Sequence, residues 1–190
     1  MKDIDIVEWE ICRSNNKIMQ INNFKKFDVS WEVIIDLIND ALSKESDVNA
    51  NINDNYSKPK YVKKNAVSSL LGTIGYVQFS SEISVIPKEI NSYIEIVDKI
   101  LDYKPKRNFV QIFCNMLAME YQSEIHSDPW DGVVLQLKGT TTWDTFSEDK
   151  TDIIDSIVLE EGDLLLVPKG VIHRVTSNSS RATLNFGLVE

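Results

Sequence analysis

A chain of 190 residues with a formal net charge of −9 has no cationic surplus for a nucleic-acid partner, whose grip rests on clustered Lys and Arg. Hydrophobic residues make up 43% and charged residues 26%, the proportions of a globular chain that buries one sizeable core, so residues 1–190 are expected to form a single domain. Cys12 and Cys114 offer no disulfide framework, no run approaches the ~20 apolar residues of a membrane span, and the acidic start MKDIDIVEWE lacks a leader's apolar stretch, so no membrane contact and a cytoplasmic location are expected.

Residues 1–106 read as N-terminal strands with supporting helices. Between Asp3 and Ile11, Ile4 and Ile6 alternate with acids, which predicts a strand or extended lead-in. Lys17 to Phe24 reads as a second short strand ended by Asn22-Asn23. Ser30 is a good N-cap, and Trp31, Ile34, Ile35, Ile38 and Leu42 follow at helical spacing, so the spacing predicts a helix over 31–43. Residues 44–64 are rich in Asn, Asp and Ser and read as a surface loop, with a lid over the active site as the functional alternative. A short helical turn is expected over Ala66–Gly72 and a strand over Tyr76–Phe79. Pro87 opens a second helix, which ends at Lys104-Pro105-Lys106.

From residue 107 to 190 the pattern is all β, a barrel core. An apolar strand region runs from Phe109 to Tyr121. Further strands are expected at Val133–Leu137, Thr140–Phe146, Ile153–Leu159, Asp163–Val167, Val171–Thr176 and Thr183–Val189.

The chain has only two histidines, and both fall in this half. His126 and Asp128 are two residues apart, so a strand end would point both to one side. His173 follows a strand and turn, and a fold that lays its strand beside the first would complete the set. Two neutral imidazoles and one carboxylate can fill one face of an ion and leave the other open, the ligand set of mononuclear non-haem Fe(II) oxygenases; Mn, Co, Ni and Zn also suit it. A lone His-x-Asp is more often a surface turn, so the surrounding phrase carries the weight.

That phrase is Gly162-x5-Pro168-x-Gly170-x2-His173, which resembles the second motif of the cupin barrels. Ser177, with Asn178 beside it, stands where that motif usually continues to Asn. His126-x-Asp128, Asp131, Gln136, Gly139 and Trp143 are similar to the JmjC-like cupins, 2-oxoglutarate-dependent hydroxylases that include ribosomal-protein oxygenases and the asparaginyl hydroxylase of the hypoxia factor. Thr183–Leu188 resembles the family's last barrel strand, and the resemblance covers Phe109 to Glu190.

The resemblance implies a mostly β fold with flanking helices, a double-stranded β-helix of the cupin or jelly-roll kind. It implies Fe(II) held by His126, Asp128 and His173, with 2-oxoglutarate and O2 as cosubstrates. The reaction would couple decarboxylation of 2-oxoglutarate to hydroxylation of an aliphatic C–H in a protein, peptide or amino-acid-derived small molecule. The helices would pack outside the barrel and support a homodimer, as in relatives. Asp131 would orient His126 or its loop, and Trp130 would stand at the barrel mouth.

For the distal carboxylate of 2-oxoglutarate, the family usually supplies a Lys or Arg at the position that is Thr141 here. A threonine donates one hydrogen bond but no charge. Arg181-Ala182-Thr183 is similar to the Arg-x-Ser pair of other 2-oxoglutarate oxygenases, and Lys138 is a second candidate cation. Ser123 and Asn185 stand where relatives place further polar pocket residues. The expected cosubstrate residues are therefore Ser123, Thr141, Arg181 and Asn185. Two other readings stay open: a cupin enzyme that binds substrate directly to Fe or Mn without 2-oxoglutarate, which the Thr141 departure supports, and a non-catalytic cupin binding module.

Overall fold

Alternation along each strand sorts the side chains of the C-terminal half between two surfaces. A computed structural model describes residues 3–36, 48–52, 55–57, 75–80, 95, 97, 101, 110–115 and 120–188. Its one full helix among these, α1, spans Ile6–Ser14. The strands in chain order are β1 (Met19–Ile21), β2 (Val48–Ile52), β3 (Asn55–Ser57), β4 (Gly75–Ser80), β5 (Val110–Asn115) and β6 (Tyr121–Gln122). They continue as β7 (Asp131–Lys138), β8 (Thr141–Phe146), β9 (Ile153–Leu159), β10 (Leu164–Val167), β11 (His173–Ser177) and β12 (Arg181–Leu188).

All pairings are antiparallel. One sheet has eight strands in the order β1-β10-β7-β12-β5-β4-β2-β3, and the other has four in the order β6-β11-β8-β9. Val134, Leu165 and Val167 of the larger sheet pack with Trp143 and Val175 of the smaller, so the two sheets close on one interior. This is the mostly β jelly-roll barrel that was expected. The other face of the larger sheet carries Val133, Leu135, Leu137, Leu164, Leu166, Ala182, Leu184 and Phe186 in a second core with Trp9, Phe24 and Ile34. The barrel sheet draws strands from both sides of residue 107, since β1 and β2–β4 extend it at its two edges.

The expected strand over Asp3–Ile11 is a helix instead. Asp5 caps it, its Oδ1 accepting from Val7 N at 2.9 Å and Glu8 N at 3.1 Å. Ile4 and Trp9, at the two positions of a hydrophobic staple, are both buried in the main core. The expected strand at Lys17–Phe24 shortens to Met19–Ile21 and turns at Asn22-Asn23, with Asn23 at φ 53°. Ser30 caps a helix whose described part is 31–36, its Oγ accepting from Val33 N at 3.3 Å.

The region expected as a loop or lid contains the β2–β3 hairpin, which joins the sheet edge through β4. The rest of 44–64 lies outside the described residues, as do residues 37–43 and the expected turn at Ala66–Gly72. Of the helix expected after Pro87, Glu95 and Val97 are described and helical, and Val97 is buried. Among the described residues, no helix is long and apolar enough to cross a membrane.

Gly162 sits at φ 95° in the turn before β10, where a Cβ would lie 3.0 Å from Lys25 O. The neighbouring Asp163 carboxylate accepts from Asn23 N at 2.7 Å and Glu160 N at 2.9 Å. This knot holds β10, and with it the turn at 168–170 that leads into His173.

Candidate metal centre

The ends of β6 and β11 bring the two histidines together. Ser123 N donates to Val175 O at 2.9 Å, and Val175 N donates to Ser123 Oγ at 2.9 Å. Three residues on, His126 and His173 form a reciprocal antiparallel bridge, His126 N to His173 O at 3.0 Å and His173 N to His126 O at 2.8 Å. A bridged pair of this kind places both side chains on one face. Their ring centroids are 4.5 Å apart. Asp128 is held by Gly170 N, which donates to Asp128 O at 3.0 Å, and its Oδ2 lies 4.0 Å from His173 Nε2.

One ligand atom from each of His126, Asp128 and His173 lies within 4.8 Å of the others, a spacing that can hold one ion. His126 Nδ1 lies 2.9 Å from Glu124 O, and His173 Nδ1 lies 3.0 Å from Val171 O. A carbonyl oxygen can only accept, so each Nδ1 carries a proton, and in the neutral ring that tautomer leaves the Nε2 lone pair for a metal. Second partners that fix tautomer and ring orientation are a regular feature of metal-binding histidines. His173 is buried and His126 exposed, so the triad has one sealed side and one open side.

Burial is the main force on the His173 imidazole and holds it below its ordinary range. The neighbouring His126 adds to this, while Val171 O and Asp128 oppose it. A neutral imidazole is the form that binds metal. The Trp143 ring stacks on His173 with centroids 5.1 Å apart and planes 28° from parallel.

Behind Trp143 runs a buried polar chain. Trp143 Nε1 donates to Thr141 Oγ1 at 3.2 Å, and Thr141 Oγ1 donates to Gln136 Oε1 at 2.9 Å. Thr183 Oγ1 donates to the same Gln136 oxygen at 3.1 Å, and Gln136 Nε2 donates to Lys138 O at 2.8 Å. Arg181, only 2% exposed, reaches Asn115 Oδ1 through Nε at 3.3 Å and Thr183 Oγ1 through Nη1 at 3.5 Å. The network thus links the ring against His173 to a permanently charged guanidinium inside the protein.

The structure treats the four expected cosubstrate residues differently. Thr141 and Arg181 belong to this one network. Asn185 lies on the same strand face as Thr183, and its buried Oδ1 has no partner among the described residues. Ser123 spends its hydroxyl on the main chain, accepting from Val175 N and donating to Glu124 O at 3.0 Å. Lys138, the alternative cation, pairs with Glu161 at 3.7 Å instead. Asp131 engages the turn that leads to His173. Its Oδ1 accepts from Lys169 N at 2.6 Å, and its Oδ2 lies 2.8 Å from Arg13 Nε. Arg13 was missed in the sequence because α1 was read as a strand.

No protein-family model matches the sequence, and no curated protein matches it. Solved structures are similar to it in fold. The crystal structure of the Escherichia coli ribosomal oxygenase YcfD superposes with a TM-score of 0.75 at 13% identity, over 100% of this chain and 53% of that one. YcfD in complex with cobalt and succinic acid gives 0.71 at 14% identity, over 96% of this chain and 51% of that one. YcfD in complex with cobalt and 2-oxoglutarate gives 0.68 at 13% identity, over 96% and 51%. At these identities the likeness establishes the fold alone, the antiparallel jelly roll. The chain spans about half the length of these neighbours.

Proposed function

We propose that this chain is a mononuclear Fe(II)- and 2-oxoglutarate-dependent oxygenase that hydroxylates an aliphatic C–H. The observation that carries this reading is the triad itself. Two imidazoles, each with its Nδ1 on a main-chain carbonyl, and one carboxylate bring one ligand atom each within 4.8 Å of one another, and His126 is exposed on the side from which a substrate would approach. The donor set is of intermediate softness and suits Fe(II), with cobalt as a working substitute.

The buried Arg181 is the second support. A guanidinium inside the protein supplies the charge-assisted donor that a distal carboxylate needs, and Thr183 beside it adds a hydroxyl. Thr141 closes the space between Gln136 and Trp143, so the charge missing at that position is supplied from β12. Asn185, whose Oδ1 has no partner among the described residues, adds a further polar group on the same strand face.

When bound, the iron and 2-oxoglutarate supply the oxidising power for inserting one oxygen atom of O2 into a C–H bond. The chain's own residues do the positioning. His126, Asp128 and His173 would hold the ion. Trp143 covers the His173 ring and excludes water from the sealed side. Arg181 fixes the far end of the dicarboxylate. No side chain needs to act as a general base. The solved neighbours are described as ribosomal oxygenases, which makes a protein or peptide side chain the first substrate class to test.

The test is spectroscopic. Fe(II) and then 2-oxoglutarate are added to the metal-free protein without oxygen, and the visible spectrum is recorded. A weak charge-transfer band that needs both additions, and that disappears in Asp128→Ala, is expected. Fe(II) binding with no such band would transfer the reading to a cupin enzyme that binds substrate directly to its metal.

A further inference from the structure

We infer that Asp131 is a positioning residue for the metal centre, and that through it Arg13 couples helix α1 to the spacing of Asp128 and His173. The inference rests on the metal reading above and concerns residues outside the triad.

The geometry is specific. Asp131 opens β7 three residues after Asp128, and its carboxylate is 3% exposed. A buried carboxylate is costly unless both oxygens are engaged. One oxygen accepts from Lys169 N at 2.6 Å, in the turn that leads to His173. The next residue in that turn, Gly170, donates its N–H to Asp128 O at 3.0 Å. Two adjacent amides of one turn thus fasten the segment that carries Asp128. One bond goes to its main chain and one to the Asp131 side chain. The distance between a ligand before β7 and a ligand at the start of β11 is set across this seam.

The other Asp131 oxygen takes the Arg13 Nε at 2.8 Å. Arg13 lies four residues after Trp9, so both occupy one face of α1. Trp9 is 1% exposed in the main core and fixes the helix. The seam is therefore clamped to a rigid element, as a precise site requires. Trp130 supports the same segment from the side. Its ring lies where a Cβ on Gly187 would sit, 2.6 Å away, so the bare backbone of β12 lets it pack.

The test is a Co(II) titration of the metal-free protein, read by the visible bands of the bound ion, with Tm of the metal-free form measured in parallel. Asp131→Asn keeps the shape and removes the charge. It is expected to weaken Co(II) binding by about 10- to 100-fold, the range for residues that hold metal ligands in place, and to change the band shape through altered ligand geometry. Arg13→Gln sits at a half-exposed helix position and serves if Asp131→Asn does not fold. It is expected to weaken Co(II) binding several-fold with little change in Tm. The double variant is expected to match Asp131→Asn alone, since the two share one interaction. Wild-type affinity and band shape in both single variants, with only Tm lowered, would overturn the inference and leave the metal reading standing. A wild-type chain that binds no Co(II) would overturn both.

Discussion

The two faces of β7 and β12 share one main chain and differ in chemistry. On the outer face, Val133, Leu135, Leu137, Ala182, Leu184 and Phe186 make an apolar surface under α1. On the inner face, Gln136, Arg181, Thr183 and Asn185 stand where more apolar residues would fit. An apolar inner face would cost less desolvation, because a buried cation or amide stabilises only when fully partnered. Gln136 is bonded at both amide atoms and Arg181 is engaged, while Asn185 Oδ1 has no partner among the described residues. The outer face holds the fold, and the polar inner face is the one that the proposed 2-oxoglutarate would meet.

Substitutions on either face can break or sharpen that division. The largest effect belongs to the triad. His126→Ala, Asp128→Ala or His173→Ala should each abolish metal binding and metal-dependent activity while the metal-free circular dichroism spectrum stays native. Activity retained in any one of them would remove that residue from the ligand set.

On the outer face, Leu135→Ala should cost about 2–5 kcal/mol of stability by opening a cavity. Leu135 is fully buried between β7's neighbours, so the strands can close only part of the space. Chemical denaturation measures the loss. Co(II) affinity at a temperature where the variant is folded should equal that of the wild type, because no ligand is touched.

A smaller effect comes from pH. Burial holds the His173 imidazole below its ordinary value of 6.5 in the folded, metal-free chain. The unfolded chain therefore takes up the proton first, so this group destabilises the fold progressively as pH drops below about 6.5 and has no effect well above it. Tm of the metal-free protein should drop between about pH 7 and about pH 5.5, and the drop should be smaller in His173→Gln. An equal drop in both proteins would assign it to other groups.

The smallest effect is chemical. Cys114 lies on the outer face opposite Ala182, and burial pushes its thiol up to about 12, with Arg181 opposing. At about pH 8 it should resist a disulfide reagent in the native protein and react once denaturant is added. Fast native labelling of Cys114 would show that the outer core opens.

Much of this division was legible in the sequence. The six strands from β7 to β12 follow from alternation and from turn residues such as Gly139, Gly162, Pro168 and Gly170, since both faces there are specified side chain by side chain. The triad was legible because the chain has only two histidines, the spacing of His126 and Asp128 fits a strand end, and His173 closes a strand-and-turn phrase. What was missed is equally physical. Ile4 and Ile6 alternate like a strand over too short a window, whereas Asp5, Glu8 and the Ile4–Trp9 pair carry the helix signal. The β2–β3 hairpin hides in an Asn-rich stretch because an edge pair is joined by main-chain bonds that need no apolar alternation. The Arg13–Asp131 pair joins opposite ends of the chain, and no local pattern reports such a contact. The choice between Lys138 and Arg181 was not legible either, since the Lys138–Glu161 and Arg181–Asn115 pairs join residues far apart in the chain.

The most direct measurement is an anaerobic titration of the Fe(II)-loaded protein with 2-oxoglutarate, followed by the charge-transfer band, in the wild type and in Arg181→Leu. Leucine keeps the inner wall filled, and replacing a buried ion by an apolar group is often neutral for stability. The account predicts a band in both proteins, with half-saturation shifted upward by about 10- to 100-fold in the variant, the worth of a hydrogen bond to a charged group. A band with the same half-saturation in both would contradict the role given to Arg181, and no band in either would contradict the 2-oxoglutarate reading itself.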